Sequence, residues 1–290
     1  MWDIILRGTI NGAMFSLIAV GLNLQYGVTR ILNIAHGEFL MLGAFITSVV
    51  FQFYGVNPLV SLAISGPMVF VIGVLIYGIV FRRLVRLSRS VEELEFKSLL
   101  ACFGLLFIIQ NVILIIIKFY PKLMYVGVRY LNETIIIMGE RLELNRIVAA
   151  VMAVIISVLL YILLRSTRAG LAVRATAQEP TGAQIVGINI FKVHTVSFGL
   201  SVLLSALAGS LLSMIYPNLS PLTGPQYTFI ALAVIVIGGM GSFIGSLLGG
   251  FLMGYVYYVS MKTDPLLAMP VVYAFLLIML IIRPKGLFGR

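Results

Sequence analysis

The chain has 290 residues, of which 61% are hydrophobic and only 10% charged, and its mean hydropathy is +1.11. Soluble domains carry roughly 25% charged residues, so this composition excludes a water-facing globule and predicts an integral membrane protein. The net charge of +10 would suggest nucleic acid in a soluble protein. In a membrane protein Lys and Arg gather in loops that face the cytoplasm, so the lipid bilayer is the expected partner and nucleic acid is not.

Hydrophobic runs separated by charges or Gly/Pro breaks predict about nine spans (eight to ten), each near the ~20 residues a crossing needs. They cover 9–28, 37–55, 58–81, 98–117, 146–164, 195–216, 226–240, 242–261 and 266–282. The expected fold is all-α, a polytopic helical bundle with some helices discontinuous. No polar stretch is long enough for a separate soluble domain, so residues 1–290 read as one membrane domain. The N-terminus has Asp3 and Arg7 but no basic region ahead of a small-residue cleavage site, and a cleaved signal peptide is not expected. Cys102 has no partner for an intrachain disulfide.

Between the first two spans lies "NIAHGEF", which places Asn33, His36, Gly37 and Glu38 within a greasy chain. An ionisable residue inside a membrane is a functional candidate by default, which makes these four candidates for a translocation pathway or gate. The alternative is a solvated cap at the cytoplasmic interface. His-x-Glu supplies only two metal ligands, and no Ser/His/Asp set or carboxylate pair accompanies it, so neither a metal site nor a catalytic residue is expected. In the fourth span the adjacent amides Gln110 and Asn111 face about 100° apart on a helix. At least one is expected to bond a neighbouring helix.

The segments 82–97, 165–194 and 283–290 read as cytoplasmic, with the N-terminus outside and the C-terminus cytoplasmic. That arrangement puts 13 of the 20 Lys and Arg on the cytoplasmic side. The loop at about 165–194 carries its own helix punctuation. Pro180 suits a first helical position, Glu179 the positive end of the dipole and Gly187 a stop. Ala183, Ile185 and Val186 offer an apolar face, and Arg165, Arg168, Arg174 and Lys192 flank it. So short a helix needs something to pack against: either its own membrane domain or a groove on a soluble partner. His194 falls at the end of this loop.

The run Val236–Gly254 holds seven glycines. Most read as helix packing, with "GSLLG" a small-xxx-small face. Gly238, Gly239 and Gly241 cluster tightly enough to interrupt a helix, which only buried protein or a watery cavity tolerates. "GEFLMLGAF" (37–45) and "GSFIGSLLG" (241–249) share a faint echo. Broken hydrophobic segments at corresponding places in two halves point to a transport site.

Taken together, five segments resemble one family. "NGAMFSLIAVGLNLQYGVTRILNIAHGEFLMLGAF", "GLLFIIQN", "STRAGLAVRATAQEPTGAQIVGIN", "GGMGSFIGSLLGG" and "RPKGLFG" follow, in order, the pattern of the LivH-type permeases, membrane subunits of the ABC importers for branched-chain amino acids. The resemblance implies a permease without its own ATPase site, paired with a second homologous permease. It further implies two cytoplasmic ATP-binding subunits and an extracytoplasmic substrate-binding protein. ATP would then be used by those partners, with no cofactor bound by this chain. Gln178, Glu179 and Gly187 would belong to the segment touching the ATPases, and Asn33, His36, Gly37 and Glu38 to a motif near the translocation path. Pro180, Thr181 and Gly182 depart from the family's more usual charged and Ala residues. No G-x-x-x-x-G-K-[ST] occurs in the chain, which agrees with an external energy source. The competing readings are a permease of the same type for urea or short amides, and a gradient-driven secondary transporter or channel. Carriers of that last kind place several ionisable groups in their spans, where this chain offers chiefly Glu38.

Overall fold

The computed structural model describes residues 1–283 and 286–288. Pro284, Lys285, Gly289 and Arg290 of the cytoplasmic tail read from the sequence lie outside the described residues. Nine helical segments among the described residues are long and apolar enough to cross a membrane, and they coincide with the nine predicted runs. The principal helices are α1 (Trp2–Thr29), α2 (His36–Tyr54), α3 (Pro58–Ile76), α4 (Arg82–Leu87), α5 (Val91–Phe119), α6 (Leu144–Ser166), α7 (Arg168–Gln178), α8 (Pro180–Ile185), α9 (Ile190–Ile215), α10 (Gly224–Gly238), α11 (Phe243–Thr263) and α12 (Ala268–Ile282). A π-helical turn over Tyr77–Phe81 joins α3 to α4, so the third span is continuous to Leu87.

Small residues set the packing. Gly8, Gly12 and Ser16 repeat every fourth residue on α1, where they form one face. Gly250 and Gly254 of α11 lie on that face so closely that a Cβ at Gly254 would overlap the backbone of Gly12, and one at Gly250 the backbone of Ser16. Lipid supplies no hydrophobic drive between helices, so such backbone contact is what holds them together. On α9, Ser197, Ser201, Ser205, Gly209 and Ser213 form a second ladder at the same spacing, all buried. Ser210 ties three helices together, accepting from Thr47 Oγ1 on α2 (2.8 Å) and lying 2.8 Å from Ser65 Oγ on α3.

The loop between the predicted spans 98–117 and 146–164 is partly structured. It carries a hairpin of β1 (Thr134–Ile137) and β2 (Glu140–Glu143), turned at Met138 and Gly139, both with positive φ. Its preceding segment folds inward, with Val128 N donating to Ser213 O at 2.7 Å. The segment 82–97 is mostly two helix ends. Ser90 caps α5 by accepting from Glu93 N, and Glu93 reaches back to Arg89 N. In the loop 165–194, α7 accompanies the expected α8. His194 is not in the loop but in the second turn of α9, buried with its ring 6.4 Å from that of Tyr77.

Candidate functional site

The NIAHGEF stretch lies inside the bundle. α1 ends at Thr29, with Arg30 in the left-handed conformation, and the chain then doubles back along α1. His36 Nε2 donates to the carbonyl of Ile18 at 3.1 Å. Ile18 lies eleven residues before Thr29, or about 16 Å back along the helix at 1.5 Å per residue. Six residues in extended form reach about 20 Å, enough to cover that return. Thus α2 starts within the bundle, and a solvated interfacial cap is excluded: Asn33, His36 and Glu38 are all 0% exposed. Asn33 Nδ2 donates to Gln25 Oε1 (3.3 Å), and Ser205 Oγ on α9 donates to the His36 carbonyl (2.7 Å).

α10 also starts there. Gly37 N donates to Thr228 Oγ1 at 2.7 Å, and a Cβ at Gly37 would overlap the carbonyl of Gly224, the first residue of α10. From this junction α2 runs parallel to α9, toward the hairpin end. α10 runs the other way, to reach Gly241 beside Gly27 and Asn23 near the end of α1. Two helix N-termini therefore meet inside the membrane domain, and Glu38 sits between them. It occupies the first turn of α2, and its Oε1 would be 2.6 Å from a Cβ at Gly224. Neither carboxylate oxygen has a hydrogen-bond partner among the described residues. The positive ends of two helix dipoles converge on this carboxyl in place of a countercharge.

Gly238, Gly239 and Gly241 form the break between α10 and α11, and two of them need positive φ: Gly239 (101°) and Gly241 (85°). They do not join the Asn33–Glu38 cluster. The two groups lie at opposite ends of α10, whose fifteen residues span about 22 Å. Asn23 of α1 binds the break, accepting from Gly241 N (2.6 Å) and donating to Ser242 O (2.7 Å) and Ser246 Oγ (2.5 Å). The tail closes it from the other side. Leu287 N donates to Ile237 O (2.7 Å) and Phe288 N to Gly238 O (3.1 Å), satisfying carbonyls that the end of α10 leaves open. Sequence reading singled out neither Asn23 nor this contact. The signal for Asn23 was a buried amide in register with the α1 small-residue face; the tail contact had no local signal.

α8 follows the predicted punctuation. Glu179 caps it by accepting from Thr181 N (3.2 Å), Pro180 is its first residue, and Gly187 ends it at φ 86°. Gln178 closes α7. The apolar face divides. Ala183 packs inward at 4% exposure, whereas Ile185 (82%) and Val186 (75%) project as a bare tip. Gln110 and Asn111 depart from expectation. Asn111 is exposed and its Nδ2 donates to the carbonyl of Phe107 on its own helix, and among the described residues neither amide bonds a neighbouring helix.

A helical bundle with helices starting head to head inside the membrane, and a punctuated helix pair projecting from one end, is the architecture of a multi-pass membrane transport subunit. The chain belongs to the family described as "Branched-chain amino acid transport system / permease component", which matches residues 4–283. Similar proteins include the high-affinity branched-chain amino acid transport system permease protein LivH of Salmonella typhimurium, 27% identical over 98% of this chain and 94% of the relative. BraD of Pseudomonas aeruginosa, a permease protein of the same description, is 28% identical over 99% and 95%. A probable LivH of Methanocaldococcus jannaschii is 28% identical over 86% and 78%. Among solved structures, PsaBC from Streptococcus pneumoniae in complex with Fab shares the fold, with a TM-score of 0.53 at 12% identity over 98% of this chain and 94% of that one.

Proposed function

We propose that this permease subunit imports branched-chain amino acids, driven by ATP that partner subunits hydrolyse, with substrate delivered by an extracytoplasmic binding protein. A second homologous permease completes the pore, and two ATP-binding subunits dock on the α8 end, which faces the cytoplasm. The observation that carries the reading is the α8 tip. Ile185 and Val186 stand exposed on a short, fully capped helix whose other apolar residue packs home. Exposed apolar groups on a rigid mount suit insertion into a partner's groove. Gln178, Glu179, Pro180, Ala183 and Gly187 hold that tip in shape. The relatives' printed substrates, together with near-complete coverage of both chains, favour branched-chain amino acids over urea or short amides.

In this reading α10 is the moving strut. ATPase motion enters through α8 and α7, reaches the glycine break at Gly238, Gly239 and Gly241, and tilts α10 against Asn33, His36, Gly37 and Glu38. The α2–α10 junction then opens and closes as a gate. The test is to isolate the tagged chain gently from its native membranes and compare it with the double variant Ile185→Asp, Val186→Asp. P-loop ATPases should accompany the wild type and be lost from the variant. ATPases retained equally by both would move the coupling site elsewhere. Amino-acid uptake that follows a proton or sodium gradient in vesicles without ATPases would overturn the reading.

A further inference from the structure

Two cavities at the α8 end adjoin one another. One, of about 510 Å³, runs between α1, α6, α7 and α11; the other, of about 960 Å³, opens beyond it, and Gly27, Arg174, Ala177 and Gly241 line both. The walls of the inner part are mostly apolar, with Val20, Leu24, Leu164, Val173 and Phe243, and Asn23 and Tyr161 add polar groups. Three arginines stand along the cleft, Arg165 in the inner part, Arg174 in both, and Arg30 in the outer. No Asp or Glu lines either cavity, and none of the three arginines has a carboxylate in ion-pair range among the described residues. Their positions are built. Arg165 Nη1 donates to Tyr161 OH at 2.7 Å, Tyr161 packs on Phe243 with ring centroids 5.3 Å apart, and Arg174 Nη2 donates to the Arg165 carbonyl at 3.3 Å.

We propose that this cleft binds an anionic phospholipid, its phosphate held by Arg165 and Arg174 with Arg30 at the rim, and an acyl chain lying along Val20, Leu24 and Phe243. Depth and charge together select this occupant. From Arg30 to Val20 the cleft follows ten residues of α1, about 15 Å, which is half the hydrocarbon thickness of a bilayer. A soluble anion would use the arginines but not that length of apolar wall. A neutral lipid would fill the wall and leave the three exposed arginines, gathered along one cleft, with water rather than an anion. Basic pockets between helices at a membrane face are the known chemistry for acidic headgroups. The inference requires only that the chain is membrane-embedded, so it stands or falls separately from the transport proposal. It also gives Arg165 and Arg174 a task distinct from steering a partner toward α8.

The test uses the full chain, with whatever subunits accompany it, reconstituted in nanodiscs of phosphatidylcholine containing a small fraction of phosphatidylglycerol, with retained lipid counted by native mass spectrometry. Phosphatidylglycerol should be enriched on the wild type. Arg165→Gln and Arg174→Gln should each lower that enrichment about five-fold, at the typical strength of one arginine near an acidic membrane surface. Ala177→Trp, which fills the shared waist and keeps every charge, should lower it as much. Arg82→Gln with Arg86→Gln, whose guanidiniums lie over Phe191 elsewhere on the surface, should leave it unchanged. Equal retention of the two lipids by the wild type would overturn the proposal. So would enrichment indifferent to Ala177→Trp, or displacement of phosphatidylglycerol by millimolar glycerol phosphate, which marks a site for a soluble anion.

Discussion

At the scale of single residues, this protein depends on atoms that cannot be enlarged and on amides that cannot be left alone. Gly37 lies against the Gly224 carbonyl with no room for a methyl group, whereas Gly104 on α5 has open space around its Cα. Gly37→Ala should therefore cost about 1–3 kcal/mol of stability through overpacking. Gly104→Ala should be neutral or slightly stabilising, because alanine suits a helix better than glycine. Thermal unfolding of the two variants in one detergent checks the contrast. Asn23 satisfies three polar groups of the α10–α11 break. Asn23→Ala leaves Ser246 Oγ buried without this donor and strips the part-buried Gly241 N and Ser242 O of theirs, at about 1–3 kcal/mol for each group that water does not reach. Its unfolding midpoint should fall below that of Asn11→Ala, whose side chain makes none of these bonds.

At the scale of elements, the informative feature is how helices end. Those ending in the interior need partners for their open backbone groups, and the partners come from distant sequence. The tail supplies two N–H groups to the end of α10. Proline has no N–H, so Leu287→Pro deletes one of these bonds while Leu287→Ala keeps it. Hydrogen exchange over residues 237–242 should quicken in the proline variant and remain near wild type in the alanine variant. Equal exchange in both would show that the side chain, not the N–H, secures the break. α8 was legible in the sequence because its signals are local: a proline start, an acidic cap and a glycine stop act within one turn of the backbone they serve. α7 went unread since its apolar residues are few and its one clear signal is the Thr167 cap, accepting from Gly170 N.

At the scale of the whole molecule, charge orients the chain and packing gives it an interior. The basic excess predicts that the α8 end faces the cytoplasm and the hairpin the outside. In a Cys102→Ser background, a cysteine at the exposed hairpin residue Ile136 should react with a membrane-impermeant maleimide in intact cells, and one at Ile185 only after lysis. The opposite pattern would invert the topology and with it the proposed docking face. The sequence alone determined the nine spans, the all-α class and the family, since each rests on hydropathy or on motifs whose signal lies within twenty or thirty neighbouring residues. It also held His36 and Glu38 as candidates without deciding between an interface and the interior. Only tertiary structure decided that, and it separated the glycine break from the NIAHGEF cluster by the length of α10. It also joined the C-terminal tail to that break and left Asn111 exposed, bonded only to its own helix. Each of these outcomes turns on which helix lies against which, and close approach between helices depends on pairs of small residues hundreds of positions apart, such as Gly12 with Gly254. Neither member of such a pair carries the signal by itself.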